Sequence, residues 1–173
     1  MRLAALAAAA LLAPSVAAAP PRPPQVVTVV VGHDRATGFV AGDRLVVTVA
    51  HVLADEAVLV DGRRATVVRT DRRNDLALLA VDGVGGEPPR LGRGADTSLL
   101  GRPAPVVRRI RARVDGGPPR RAVVVRAPVA GGDSGAPLVT PAGRVAGVVF
   151  ARSRTHEDTA YAVDASAVAE LLR

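Results

Sequence analysis

Length, composition and charge exclude several classes of protein for this chain of 173 residues. The chain contains no cysteine, which excludes a disulfide scaffold and metal sites built from thiolates. Its formal net charge is +7, with arginine and no lysine among its residues, but aromatic residues make up only 2% of the sequence. That fraction is too small for the stacking platforms that bind single-stranded nucleic acid, so we expect no nucleic-acid partner.

The N-terminus is predicted to be a secretory signal peptide over residues 1–19. Arg2 precedes a stretch rich in alanine and leucine, and small residues end the segment, as at a cleavage site. A retained membrane anchor is the alternative, but the stretch is short and weakly apolar for a span of about 20 residues. Residues 20–24 comprise four prolines and one arginine, which predicts a stiff extended linker. We therefore expect a secreted or extracytoplasmic bacterial protein without a stable membrane span.

Short β-branched runs separated by turn residues predict an all-β fold. In residues 25–87 the runs are 26–31, 38–41, 45–49, 57–60, 65–68 and 76–81, which suit one six-stranded barrel. Residues 88–173 are less regular, with runs at 104–110, 111–114, 122–125, 137–140, 145–151 and 160–163. After the last run Asp164 is placed to cap a helix over residues 165–172. The sequence thus predicts two small barrels that share a cleft, followed by a short closing helix.

A glycine-rich stretch, Gly-Gly-Asp-Ser-Gly-Ala-Pro at residues 131–137, marks Ser134 as a candidate nucleophile. Glycine accepts backbone angles that other residues avoid, so this stretch can form a tight turn that exposes the hydroxyl group. The same turn can point the N–H groups of Gly132 and Ser134 in one direction, as an oxyanion hole requires. A serine also needs a general base, normally a histidine held by a carboxylate, so the sequence should supply both.

His51 and Asp75 are the candidate partners of Ser134. His51 follows the apolar run at 45–49, and Asp75 precedes the run at 76–81. The chain order histidine, aspartate, serine is that of the chymotrypsin type, and it differs from the orders in subtilisin and the α/β-hydrolases. Each residue alone has a plainer interpretation, as a turn or strand-end residue. Together they predict a catalytic triad, whereas His33 and His156 lie in turn-like or charged stretches without that context.

Three segments carry a resemblance to a known family. Thr-Val-Ala-His at 48–51, Asn-Asp-Leu-Ala-Leu-Leu at 74–79 and Gly-Asp-Ser-Gly-Ala-Pro-Leu-Val at 132–139 resemble the signature segments of the trypsin-like (chymotrypsin-fold) serine proteases. The bacterial HtrA and MarP-like branch is the nearest match, without an appended PDZ domain. The resemblance implies two six-stranded antiparallel β-barrels of the chymotrypsin type, residues 25–87 and 88–173. It implies a monomeric serine endopeptidase that acts on peptides or proteins through an acyl-enzyme, with no metal and no cofactor.

The resemblance also assigns residues to the primary specificity pocket. Pro128 aligns with the base of the pocket, Phe150, Ala151 and Arg152 with one wall, and Thr159 with the other wall. Since no aspartate stands at the base, cleavage after lysine or arginine is not expected. Pro128 and the bulk of Phe150 imply a shallow apolar pocket for a small or medium aliphatic side chain. Arg152 leaves open a preference for an acidic side chain, although a solvated arginine is the plainer interpretation.

Two departures from the family pattern carry predictions about the site. Asp133 pairs with a newly cut amino terminus in zymogen-type relatives, but the proline-rich segment here lacks the Ile-Val-Gly-Gly of that scheme. An internal arginine, Arg102 or Arg108, is our hypothesis for the partner of Asp133. Phe150 stands where relatives offer a serine to the catalytic aspartate, so we expect Asp75 to be less well supported and its surroundings drier.

Seven arginines crowd the start of the second half and leave other functions open. They are Arg102, Arg108, Arg109, Arg111, Arg113, Arg120 and Arg121. We interpret them mainly as a solvated face, with a patch for anionic surfaces or acidic substrates as the alternative. A basic module for anionic surfaces is therefore one alternative to the endopeptidase. The other is a catalytically weak or inactive protease-fold binding protein, which the compressed second half, Phe150 and Arg152 suggest.

Overall fold

The computed structural model describes residues 22–54, 56–113 and 118–173. The predicted signal peptide, the first two residues of the linker and the end of the predicted run at 111–114 lie outside these residues. Residues 22–24 of the linker form neither helix nor strand. Within the described ranges, no helix is both long enough and apolar enough to cross a membrane.

Six strands in the first half close into an antiparallel barrel, as the sequence predicts. They are β1 (Val26–Val31), β2 (Asp34–Gly42), β3 (Leu45–Val49), β4 (Val58–Val60), β5 (Arg63–Asp71) and β6 (Leu76–Val81). Their order around the barrel is β1-β2-β3-β6-β5-β4. In β1 the alternate residues Val27, Val29 and Val31 point into the barrel core, which is the period-two pattern of a strand with one covered face.

Strands β3 and β6 form the wall of this barrel that the second half covers, so they are buried on both faces. Val46 of β3 packs inside the barrel, while Val47 and Val49 join a second cluster that contains residues from both halves. The two strands pair with Val49 opposite Leu76. The end of β3 and the start of β6 therefore meet at one end of the barrel, which places residues 50–51 beside residues 74–75.

Seven antiparallel strands form the sheet of the second half in the described part of the chain. They are β7 (Ser98–Leu99), β8 (Arg102–Pro103), β9 (Val106–Ala112), β10 (Arg120–Arg126), β11 (Pro137–Val139), β12 (Val145–Arg152) and β13 (Thr159–Asp164). Their order is β8-β7-β11-β12-β13-β10-β9. The hairpin of β7 and β8 was not predicted because strands of two residues leave no apolar run. Leu100 and Gly101 form its turn, and both have positive φ.

The chain ends in the short helix α1 (Ala165–Leu171), close to the prediction for residues 165–172. Asp164 is the N-cap, because its Oδ1 accepts a hydrogen bond of 3.0 Å from the N–H of Ser166. Its Oδ2 accepts from Nη1 of Arg109 at 2.8 Å. Burial alone would raise the pKa of Asp164, but the hydrogen bonds from Ser166 and the charges of Arg109 and Arg93 outweigh it and hold the pKa below its ordinary value.

Candidate active site

His51 and Asp75 contact each other at the edge where β3 ends and β6 begins. Nδ1 of His51 lies 2.7 Å from Oδ2 of Asp75, and the backbone N–H of His51 donates to Oδ1 of Asp75 at 2.8 Å. A third bond joins the N–H of Ala50 to the carbonyl oxygen of Asp75 at 3.1 Å. Since a carboxylate only accepts, Nδ1 carries the proton and Nε2 is left as the basic nitrogen. The aspartate is largely covered and the imidazole stays half exposed, so the basic nitrogen is accessible.

Ser134 lies in the loop between β10 and β11, and β2 of the first barrel holds that loop. The N–H of Thr37 donates to the carbonyl of Ser134 at 2.7 Å, and Oγ1 of Thr37 donates to the carbonyl of Gly132 at 2.6 Å. Gly135 has φ +91°, and a Cβ atom there would stand 1.8 Å from the carbonyl oxygen of Thr37. The close approach of the two halves at this point therefore requires glycine.

The backbone N–H groups of Gly132 and Ser134 are the predicted oxyanion donors. Gly132 has φ +95°, a left-handed conformation that favours glycine. Among the described residues, neither N–H donates a hydrogen bond, so both donors are available to a ligand. The Ser134 hydroxyl likewise makes no hydrogen bond within this part of the chain, whereas the bond between His51 and Asp75 is already formed. Contacts between a nucleophile and its base are often loose before substrate binds.

Arg102 is the partner of Asp133 in the structure, one of the two arginines that the sequence suggested. Nη2 of Arg102 donates to Oδ2 of Asp133 at 2.8 Å, and the same oxygen accepts from the N–H of Ala130 at 3.0 Å. The arginine side chain is 46% exposed, while that of Asp133 is 13% exposed. An internal ion pair therefore anchors the residue that precedes Ser134.

Arg120 occupies the space beside Asp75, and sequence reasoning missed it. Its side chain is only 8% exposed, with Nη1 3.8 Å from Oδ2 of Asp75 and the guanidinium 4.9 Å from the centre of the Phe150 ring. One expectation was wrong here. Arg120 is not part of a solvated face, because the alternation along β10 points it inward and Arg121 outward. The Phe150 side chain is buried in the core beneath Arg120, and its place in the wall of a substrate pocket stays a prediction.

The other residues predicted to bind substrate lie where three neighbouring strands of the second sheet, β10, β12 and β13, begin or end. Ala151 and Arg152 end β12, and Thr159 begins the neighbouring strand β13. Thr159 pairs with Arg126, the last residue of β10, and Pro128 follows two residues later. Pro128 and Arg152 are exposed, while Ala151 and Thr159 are partly covered. The structure thus gathers these four residues, but it separates the Phe150 side chain from them.

The predicted arginine cluster divides into residues with different contacts. Arg102 pairs with Asp133, Arg109 pairs with Asp164, and Arg120 is buried. The other members of the cluster are exposed: Arg108, Arg111, Arg113 and Arg121. The solvated face is therefore smaller than the sequence suggested, because two arginines form ion pairs with carboxylates and a third is buried in the core.

Comparisons with known proteins find a matching family and a curated relative. Residues 36–148 match the family described as "Trypsin-like peptidase domain". The serine protease Rv3671c of Mycobacterium tuberculosis (strain ATCC 25618 / H37Rv) is 35% identical over 160 residues, which covers 77% of this chain and 40% of that protein. This chain thus spans less than half the length of that curated relative.

Solved structures confirm the predicted fold class. The active form of the Rv3671c protease from M. tuberculosis matches with a TM-score of 0.76 and 29% identity, covering 94% of this chain and 93% of that chain. The HtrA-type protease AlgW with a tripeptide matches with a TM-score of 0.71, covering 87% of this chain and 60% of that chain. At 22% identity the likeness to AlgW shows the fold alone.

Proposed function

Because this chain belongs to the family of trypsin-like peptidases, we propose that it is a serine endopeptidase whose catalytic triad is His51, Asp75 and Ser134. The contact between Nδ1 of His51 and Oδ2 of Asp75, at 2.7 Å, is the observation that carries this proposal. It fixes one tautomer of the imidazole and leaves Nε2 as the base. A glycine loop that presents a serine and two free N–H groups on the facing half gives this base a nucleophile to activate.

The same groups serve both halves of the reaction, acylation and deacylation. Nε2 of His51 accepts the hydroxyl proton of Ser134 as the oxygen attacks a peptide carbonyl, and Asp75 stabilises the imidazolium that forms. The N–H groups of Gly132 and Ser134 then bind the oxyanion, and one such donor is typically worth about 3 kcal/mol in the transition state. His51 returns the proton to the leaving amine, which leaves an acyl-enzyme on Ser134. Water then takes the place of the amine: His51 accepts a proton from it as it attacks the ester, and His51 returns a proton to Ser134 as the carboxylic acid product leaves.

The substrate is a peptide or protein segment. The side chain that determines specificity binds where β10 and β12 end and β13 begins. Pro128, Ala151 and Thr159 offer this site a small, mostly apolar lining, which favours small or medium aliphatic side chains. Arg152 is exposed at the same edge and is the residue through which an acidic side chain would be recognised. A preference for lysine or arginine is disfavoured, because Pro128 stands where a carboxylate would be needed.

The reaction takes place outside the cytoplasm in this proposal. Residues 1–19 have the charged start, apolar centre and small-residue end of a secretory signal peptide. The absence of cysteine requires the exported fold to rely on its core for stability. Sequencing the N-terminus of the protein from a bacterial expression host would test export, since removal of residues 1–18 or 1–19 is expected.

Hydrolysis of a random peptide library, read by mass spectrometry, tests the proposed activity directly. The wild-type protein is expected to cleave internal peptide bonds, and Ser134→Ala and His51→Ala are expected to lower the rate at least about 1,000-fold. His33→Ala is the matched control, because His33 is an exposed turn residue, and it should leave cleavage unchanged. A folded wild-type protein that cleaves nothing, but retains peptides, would replace the endopeptidase with a binding protein.

A further inference from the structure

The strand that leads to the nucleophile loop buries a guanidinium directly behind the catalytic carboxylate. Arg120 is the first residue of β10, and its side chain is 8% exposed. Its Nε and Nη1 atoms are sealed from solvent and donate no hydrogen bond within the described residues. A buried donor without a partner lowers stability, so a hydrophobic side chain of similar size would serve the core better. Packing alone therefore gives no reason for an arginine at this position.

Two contacts of Arg120 lead to the proposed active site. Nη1 lies 3.8 Å from Oδ2 of Asp75, which is close enough for strong attraction in a covered site but too long for a hydrogen bond. The guanidinium lies over the Phe150 ring at 4.9 Å from its centre, within the range of a cation–π contact. The ring therefore keeps the guanidinium beside the carboxylate of Asp75.

We propose that Arg120 is a positioning residue, which holds Asp75 in the orientation that fixes the imidazole of His51. This inference rests on the proposed function of the triad. Oδ2 of Asp75 lies 2.7 Å from Nδ1 of His51 and 3.8 Å from Nη1 of Arg120. The arginine charge attracts the carboxylate and limits its rotation, while the Phe150 ring keeps the guanidinium in place. Among the described residues Arg120 is the only arginine in contact with this carboxylate. Without its charge, the Nδ1–H tautomer of His51 is less strongly selected.

Arg120→Met tests the proposal, since methionine fills much of the same volume without the charge. We expect kcat to fall about 10- to 100-fold with KM nearly unchanged, because misorientation of a catalytic group acts on the chemical step. The control is Arg121→Met on the same strand, which removes an exposed arginine and should leave kcat unchanged. Arg120→Lys restores a positive charge and should recover part of the lost kcat. A lysine variant no more active than the methionine variant would overturn the proposal.

A second readout separates this inference from the endopeptidase proposal. The nitrogen-15 shifts of the His51 ring report which nitrogen carries the proton, and they can be measured in a Ser134→Ala background that does no chemistry. Arg120→Met is expected to move these shifts towards the other tautomer, whereas a purely structural arginine would leave them unchanged and refute the proposal. If the methionine variant does not fold, Arg120→Gln is measured in its place and judged by the same result. If the wild-type protein cleaves no peptide, but Arg120→Met still moves the His51 nitrogen-15 shifts as expected, the endopeptidase proposal is refuted. The inference that Arg120 orients Asp75 and His51 then stands.

Discussion

Replacing Arg102 by methionine is expected to slow the chemistry at Ser134 while the protein remains folded. Arg102 makes one charge-assisted hydrogen bond of 2.8 Å to Asp133, the residue before the nucleophile. Such a bond contributes about 1.5–3 kcal/mol when it is covered, but the half-exposed arginine reduces this to about 1–2 kcal/mol. Asp133 keeps its bond from the N–H of Ala130, so the loop loses order without losing all its anchors.

The rate of covalent labelling by a fluorophosphonate measures this effect, because the probe needs only the activated serine and the oxyanion hole. If the whole free energy of this bond serves to hold the loop in its reactive conformation, its loss lowers the second-order rate constant about 5- to 30-fold, since about 1.4 kcal/mol corresponds to tenfold. Arg108→Met is the matched control, as an exposed arginine of β9 that does not bind Asp133. Unchanged labelling in a folded Arg102→Met protein would refute the idea that this ion pair orders the loop.

A double-mutant cycle tests the pairing itself. Asp133→Asn and Arg102→Met should each reduce labelling, and the double variant should be no slower than the worse single variant. Independent, additive losses would show that the two side chains act separately.

Three further changes are expected to act through backbone and helix contacts. Gly135→Ala should destabilise the protein by more than about 3 kcal/mol in urea unfolding, because its Cβ would stand 1.8 Å from the carbonyl oxygen of Thr37, whereas Gly131→Ala, with no atom within 4 Å, should not. Thr37→Val removes the hydroxyl that binds the carbonyl of Gly132 and should lower the labelling rate about tenfold with little change in unfolding temperature. Asp164→Asn keeps a good cap but removes the charge that binds Arg109, and it should lower stability by about 1–2 kcal/mol at pH 7. Because the pKa of Asp164 is lowered in the folded protein, the difference from the wild type should shrink as the pH falls below the ordinary pKa of 3.8 and vanish below the lowered folded pKa.

The first barrel and the triad candidates could be predicted because their signals are local. Each strand of the first barrel leaves a run of mostly apolar residues; His51 follows one such run after Ala50, and Asp75 directly precedes another. The pairing of Val49 with Leu76 then brings them together. The hairpin of β7 and β8 could not be found in the same way, because strands of two residues have no periodicity to detect.

The role of Arg120 depends on strand register, which the sequence does not contain. Two arginines in succession at the start of a strand must point to opposite faces, so one of them has to face the core. The pairing of Ala122 with Val163 decides that Arg120 is the inward one. The burial of Phe150 follows from the same register, since Arg120 covers its ring. Strand pairing between distant parts of the chain, and not local composition, therefore determines that Arg120 is buried and Arg121 is exposed.

Mass spectrometry of the whole protein after fluorophosphonate treatment tests the central claim most directly. The account predicts one covalent adduct on Ser134 of the wild-type protein, and no adduct in folded Ser134→Ala or His51→Ala variants. A folded wild-type protein that takes up no probe, or a Ser134→Ala variant that is still labelled, would contradict the assignment of this triad.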